Sequence, residues 1–242
     1  MKSAFVTGGS GGIGSAVCRR LASLGYAVAV GYCNNREKAE ALCFELRGRD
    51  LTAMAVRTDL ADAASVAEAY EAVKSELGAP EVLINNGGKA HIGLFADMDD
   101  AEIISLINTD LTGAMLLSKR AAKEMAAAHF GRIINISSVW GEVGASCEAA
   151  YSAAKAGLIG FTKALGKELA PSGVTVNCIC AGMTDTEMNS CLSETDKAAI
   201  TAEIPAGRIC SPDEIAALAG FLCSPEASYI TAQSIRIDGG WC

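Results

Sequence analysis

Thr7-Gly-Gly-Ser-Gly-Gly-Ile-Gly14 sits between a short apolar run, Ala4–Thr7, and a stretch of helical character, Ser15–Leu24. Glycines let a backbone turn tightly and approach a pyrophosphate closely, and the following helix N-terminus offers unpaired N–H groups and partial positive charge. A Gly9-x-Gly11-x-x-Gly14 pattern can be drawn here, but glycine-rich turns are common. The spacing through Gly8, Gly12 and Gly14, set between a strand and a helix, is the more informative one. Ser10 and Ile13 lie in the same turn and complete the expected phosphate cradle.

Outward from this loop, short Val/Ile-rich runs alternate with Ala/Leu/Glu/Lys-rich segments. Strands are predicted at Ala4–Thr7, Ala27–Tyr32, Thr52–Thr58, Val82–Asn85, Arg132–Ser137, Val174–Ile179 and Ser234–Ile237. Helices are predicted at Arg36–Arg47, Ala63–Leu77, Ala101–Ala128 and Tyr151–Ala170, besides the one after the loop. Continuous apolar strands are buried on both faces, and their alternation with helices implies right-handed βαβ units. The expected fold is α/β: one Rossmann-like, doubly wound parallel sheet of about seven strands with helices on both faces, a single domain over 1–242. Gly182 to Arg208, rich in Thr, Ser, Met and Glu, reads as an irregular lid over the carboxyl ends of the strands.

A chain of 242 residues, half of them hydrophobic and 20% charged, can bury a sizeable core. Its net charge is −8 and its pI about 4.9, a sign of surface that repels nucleic acid and anionic lipid, so neither is an expected partner. Apolar stretches such as Ala216 to Cys223 are too short for a membrane span, and Lys2–Thr7 leaves no room for a signal peptide. A cytoplasmic protein is expected. The ten cysteines are scattered among apolar neighbours without any Cys-x-x-Cys, and His91 and His129 lie far apart. Buried reduced thiols are therefore expected, and no metal site.

The second strand ends Gly31-Tyr-Cys-Asn-Asn-Arg36, without the acid that binds a ribose 2′-hydroxyl in NAD enzymes. Asn34 and Arg36 suit a 2′-phosphate instead, so NADP is the expected cofactor. Tyr151 and Lys155 stand at i and i+4 of a helix and share a face. An ammonium beside a phenol stabilises the phenolate and makes the tyrosine a usable acid or base near neutrality. Ser138, thirteen residues upstream at a strand end, is placed to polarise a carbonyl as hydride arrives.

Taken together, these motifs resemble the short-chain dehydrogenase/reductase family over essentially the whole chain. Thr7–Gly14 is similar to the family cofactor loop, Asp59-Leu60 to its adenine contact, and Asn85-Asn86-Gly-Gly88 to its Asn-Asn-Ala-Gly strand end. Ser138, Tyr151 and Lys155 match the catalytic residues, and Val176-Asn177, Gly182 and Thr186 the segment that meets the nicotinamide. Ala227-Ser-Tyr-Ile-Thr and Asp238-Gly-Gly240 resemble the branch of 3-oxoacyl-acyl-carrier-protein reductases. The resemblance implies hydride transfer from NADPH to a ketone, giving a secondary alcohol, and a homotetramer.

Three positions depart from the family pattern. Asp110 stands where a catalytic asparagine is expected; the role implied for that residue is a backbone carbonyl that holds a relay water, and a carbonyl survives the change. Ala181-Gly182 replaces a Pro-Gly, which loosens the lid hinge, and Gly11 replaces a basic residue, removing one 2′-phosphate contact. The positions of carrier-docking arginines hold His129 and Ser172, poor electrostatics for an acidic carrier. Trp140, Glu142 and Glu148 are expected to wall the pocket. With the Gly-Gly-Trp-Cys end, they resemble reductases acting on 5-aminopentanone-modified elongation factor P, whose amine a carboxylate would bind. A catalytically silent, cofactor-sensing protein on the same fold is the alternative of another class. Catalysis by Cys147 lacks a base near it in sequence, so that residue is expected to pack in the pocket wall.

Overall fold

The computed structural model describes residues 2–190 and 192–242. Its strands are β1 (Ser3–Val6), β2 (Ala27–Tyr32), β3 (Ala53–Arg57), β4 (Val82–Asn85), β5 (Gly131–Ser138), β6 (Val174–Ala181) and β7 (Ser234–Ile237). They form one sheet in the order β3-β2-β1-β4-β5-β6-β7, with every neighbouring pair parallel. The strands match the expected ones to within two residues at each end.

Successive side chains of a strand point to opposite faces, so each continuous apolar run serves two cores at once. Ala4 and Val6 of β1 and Val28 and Val30 of β2 belong to the core under the first face, while Phe5 and Ala29 belong to the second. The first face is covered by α1 (Gly12–Ser23), α2 (Arg36–Arg47) and a late helix, Pro212–Leu222. The second is covered by α3 (Ala63–Leu77), by the later half of the long segment from Asp100 to Ala128, and by Leu165 and Leu169 of the helix that follows β5.

That long segment was expected to be one helix from Ala101. It is a helix with an interruption: α4 (Asp100–Ile107), a π-helical turn at Asn108–Thr112, then α5 (Gly113–Ala128). A π turn widens the coil by one residue and frequently marks a functional site. Asp110, at its centre, is buried. The short α6 (Trp140–Val143) and α7 (Ala149–Leu169) follow β5.

The segment 182–208, expected to be irregular, carries a helix, α8 (Glu194–Glu203). Ser193 and Asp196 form a reciprocal capping box at its start, which offsets its weak apolar patterning. Ser211 and Glu214 do the same for α9 (Pro212–Leu222), where proline at the first position is compatible with helix entry.

The cysteines also differ from expectation. Cys18, Cys43, Cys178, Cys180 and Cys223 are buried, but Cys33 and Cys242 are exposed and Cys147 and Cys210 partly so; all nine are free, and Cys191 lies outside the described residues. Among the described residues no helix is long and apolar enough to cross a membrane, and no cluster of His, Cys, Asp or Glu could hold a metal ion.

Candidate active site

The strand order reverses between β1 and β4, and in open α/β sheets ligands bind beyond the strand ends at such a point. Here the loops after β1 and β4 are tied together. The Asn86 carboxamide donates to the Thr7 and Gly8 carbonyls (3.0 and 3.1 Å), and the Thr7 hydroxyl accepts from the Asn86 and Gly87 N–H groups (3.0 and 2.9 Å). Gly8 has φ +60°, and a Cβ on Gly14 would fall 2.1 Å from the Gly8 carbonyl, so the turn closes only with glycine at these places. Gly11 caps α1 without a side chain and leaves the first-turn N–H groups open to a ligand's oxygens. The cradle fits a dinucleotide pyrophosphate.

A cleft of about 710 Å³ runs from this cradle. It brings together Gly8, Ser10, Gly12, Ile13, Gly14, Asn86, Ser138, Tyr151, Lys155 and Thr186, ten of the fifteen catalytic and cofactor residues expected from the sequence. Asn34, Arg36, Asp59 and Leu60 lie outside it, beyond the ends of the adjacent strands β2 and β3. Arg36 is three-quarters exposed, with only a loose 3.8 Å pair to Glu40, and is free to turn toward a phosphate. Asn35 is committed to capping α2. Val176 and Asn177, expected near the nicotinamide, are instead buried in β6. The Asn177 carboxamide donates to the Ile230 carbonyl and accepts from the Gln233 N–H, bonds that lock the tail strand rather than serve the cleft.

The buried face of α7 carries Tyr151, Ala154, Lys155, Leu158 and Thr162, so helical periodicity aims both reactive side chains at the sheet. The Ser137 hydroxyl donates to the Lys155 carbonyl (3.0 Å) and pins α7 to the end of β5. The Ser138 oxygen accepts the Trp140 N–H (3.2 Å), leaving its own proton to donate into the cleft. The Lys155 ammonium lies 5.4 Å from the Tyr151 ring centre and donates to the Ile136 carbonyl at 3.2 Å. Burial pushes the Tyr151 hydroxyl's pKa up; Lys155 pulls it down, Asp110 pushes it up and a bond with Ser138 lowers it. Burial works against the Lys155 ammonium, yet Asp110 and Tyr151 more than offset that and leave its pKa above the ordinary value.

The Asp110 side chain meets Lys155 directly, Oδ2 to Nζ at 3.2 Å. The sequence carries no sign of this contact or of the Lys89 N–H that donates to Asp110 Oδ1 (2.9 Å), since the family resemblance implies a role only for the Asp110 backbone carbonyl. The Trp140 end of the cleft also departs from expectation. Glu142 turns away from the cleft and pairs with Arg236 of β7 at 2.6 Å. Glu148 does line it; burial raises its carboxyl's pKa, opposed by a bond from Trp140. Trp241 closes that end, edge to face with Trp140 at 4.9 Å and bonded to Glu203 of α8. Cys147 stays outside, its carbonyl taken by the Gly93 N–H. Lys38 of α2 pairs with Glu187 of the segment after β6, a link between distant stretches of chain that carries no local signature.

Residues 2–197 match the short chain dehydrogenase family. A 3-oxoacyl-[acyl-carrier-protein] reductase of Staphylococcus aureus is 39% identical over 239 residues, covering 99% of this chain and 97% of the relative. An uncharacterized oxidoreductase of Bacillus subtilis is 37% identical over 242 residues, covering 99% and 98%. The crystal structure of a putative gluconate dehydrogenase from Agrobacterium tumefaciens superposes with a TM-score of 0.95 at 30% identity, covering 99% of this chain and 95% of that one.

Proposed function

The chain belongs to the short chain dehydrogenase family, and on that premise we propose that it reduces a ketone to a secondary alcohol with NADPH as donor. One observation carries this reading: the Ser138 and Tyr151 hydroxyls share the cleft that opens from the glycine cradle, with the Lys155 ammonium beside them. When bound, the nicotinamide supplies the hydride. The residues of this chain do the rest. Ser138 donates a hydrogen bond to the ketone oxygen and polarises it. Tyr151 gives its proton to that oxygen as negative charge develops, and the Lys155 ammonium stabilises the phenolate left behind. The products are the alcohol and the oxidised cofactor, and the phenolate regains its proton from solvent.

NADP as the partner of Asn34 and Arg36 is supported by the absence of an acid at the end of β2 and by the unrestrained Arg36 side chain. The remaining contacts proposed are Gly8, Ser10, Gly12, Ile13, Gly14 and Asn86 at the pyrophosphate side, Asp59 and Leu60 at the adenine, and Thr186 from the lid. The proposed protein is cytoplasmic and homotetrameric, with exposed Ile104 and Met115 on the α4–α5 segment as apolar surface for neighbouring copies.

A 3-oxoacyl thioester is the substrate class that the relatives' names suggest. His129 and Ser172 at the expected docking positions, and the charge of −8, argue against an acidic carrier as its escort. A second reading, reduction of a 5-aminopentanone-modified lysine on elongation factor P, is favoured by Glu148, a carboxylate that lines the cleft beside Trp140 and suits an ammonium. The discriminating experiment compares kcat/KM for one 3-oxoacyl group on carrier protein and on a small thiol. The expected outcome is slow reduction with little gain from the carrier. A large gain makes the carrier-linked thioester the substrate, and absence of NADPH oxidation with every ketone supports a silent cofactor-binding protein.

A further inference from the structure

Asp110 and Lys155 form a buried ion pair inside the reaction centre: the Asp110 side chain is fully buried and that of Lys155 is 5% exposed. Buried charges persist when paired and hydrogen-bonded on every side, and removing one partner leaves the other uncompensated. Here Asp110 Oδ1 accepts the Lys89 N–H, buried Oδ2 has the ammonium as an ion-pair partner and no hydrogen-bond donor among the described residues, and Lys155 has the Ile136 carbonyl as a further acceptor. The surroundings are built to this contact. A Cβ on Gly88 would stand 2.6 Å from Oδ2 and 3.3 Å from Nζ, and the π turn at Asn108–Thr112 carries Asp110 at its buried side.

We propose that the Asp110 carboxylate is a positioning residue that holds Lys155 and, by neutralising its charge, sets the pH range over which Tyr151 keeps its proton. This rests on the reading of Tyr151 as proton donor. A lone ammonium beside a phenol lowers its pKa, whereas a carboxylate that pairs with the ammonium returns much of that effect. The directions at Tyr151 agree: burial raises, Lys155 lowers, Asp110 raises. The other titratable groups facing the trio are Glu148 ahead of α7, which also raises Tyr151, and Cys178 of β6 beside Lys155. Ser138 of β5 contributes a neutral hydroxyl. Lys89, in the loop after β4, sends its ammonium to Ser105 of α4, and Glu142 of α6 is held by Arg236 of β7. Asp110 is therefore the carboxylate in contact with Lys155, and it keeps Tyr151 protonated, the form a ketone reductase needs, to higher pH.

Asp110→Asn tests this, because an asparagine oxygen can still accept the Lys89 N–H while the charge is gone. The alkaline limb of kcat/KM for ketone reduction should move down by about one pH unit or more. A second readout needs no turnover: tyrosinate absorbance against pH, taken as the difference between each protein and its Tyr151→Phe counterpart. It isolates Tyr151 and should shift in the same direction. Asp110→Ser, a smaller neutral substitute, serves if the asparagine variant does not fold. Coincident profiles for wild type and a folded neutral variant overturn the proposal. Wild-type reduction by Tyr151→Phe alone would overturn the proton donor instead, leaving the absorbance shift to report on Asp110 separately.

Discussion

The proposed preference for NADP is tested most simply at Arg36, exposed at the first turn of α2 and paired loosely with Glu40 at 3.8 Å. A bond from a guanidinium to a 2′-phosphate is charge-assisted, of order 1.5–3 kcal/mol, so Arg36→Ala should raise KM for NADPH roughly 10- to 150-fold. KM for NADH, which lacks the phosphate, should barely move. Equal losses with both cofactors would remove Arg36 from the assignment. Tyr151 and Lys155 are legible as neighbours because one helix dictates their spacing, and the loop glycines because one turn does; Ser138, at the end of β5, reaches the same cleft only through the packing of α7 on the sheet. Glu142 was misread because its direction is decided by Arg236, 94 residues away. The Asp110–Lys155 pair was equally hidden, being a tertiary contact between two helices.

At the scale of elements, buried parallel strands announce themselves as unbroken apolar runs, and β2 and β4 were placed to the residue. The π turn was invisible, because Asn108-Thr-Asp-Leu-Thr112 contains no residue that breaks a helix. Helix α8 was hidden by its polarity, although the Ser193–Asp196 box marks its start. The matching box of α9 gives a stability test. Ser211→Ala removes the oxygen that accepts the Asp213 N–H, at a cost of about 1 kcal/mol. For a domain of this size that is a Tm loss of roughly 2–4 °C. Its partner Glu214 has its pKa pushed down to about 2, first by Arg208 and then by the Ser211 N–H. A carboxyl depressed in the folded state stabilises above its ordinary pKa and loses that contribution as pH falls toward the folded value. The Tm gap between wild type and Glu214→Gln should therefore be present at pH 7, narrow below the ordinary glutamate range and close as pH approaches 2. A gap independent of pH would contradict this.

For the whole molecule, the sheet order brings the ends of β1, β4, β5 and β6 to one edge, and the reaction centre is assembled from all of them. Segments far apart in sequence finish it: Trp241 from the tail lies against Trp140, and Glu203 of α8 holds Trp241 in turn. In the proposed reaction this assembly moves a hydride from NADPH to a ketone carbon while Tyr151 protonates the oxygen. The most direct measurement uses NADPH deuterated at the transferable position of the nicotinamide, with acetoacetyl thioester as the ketone and mass analysis of the product. Wild type should place deuterium on the carbinol carbon, and Tyr151→Phe should slow its appearance by about 100-fold or more while binding NADPH nearly as well. An unlabelled alcohol, or label delivered at the wild-type rate by the phenylalanine variant, would contradict the account.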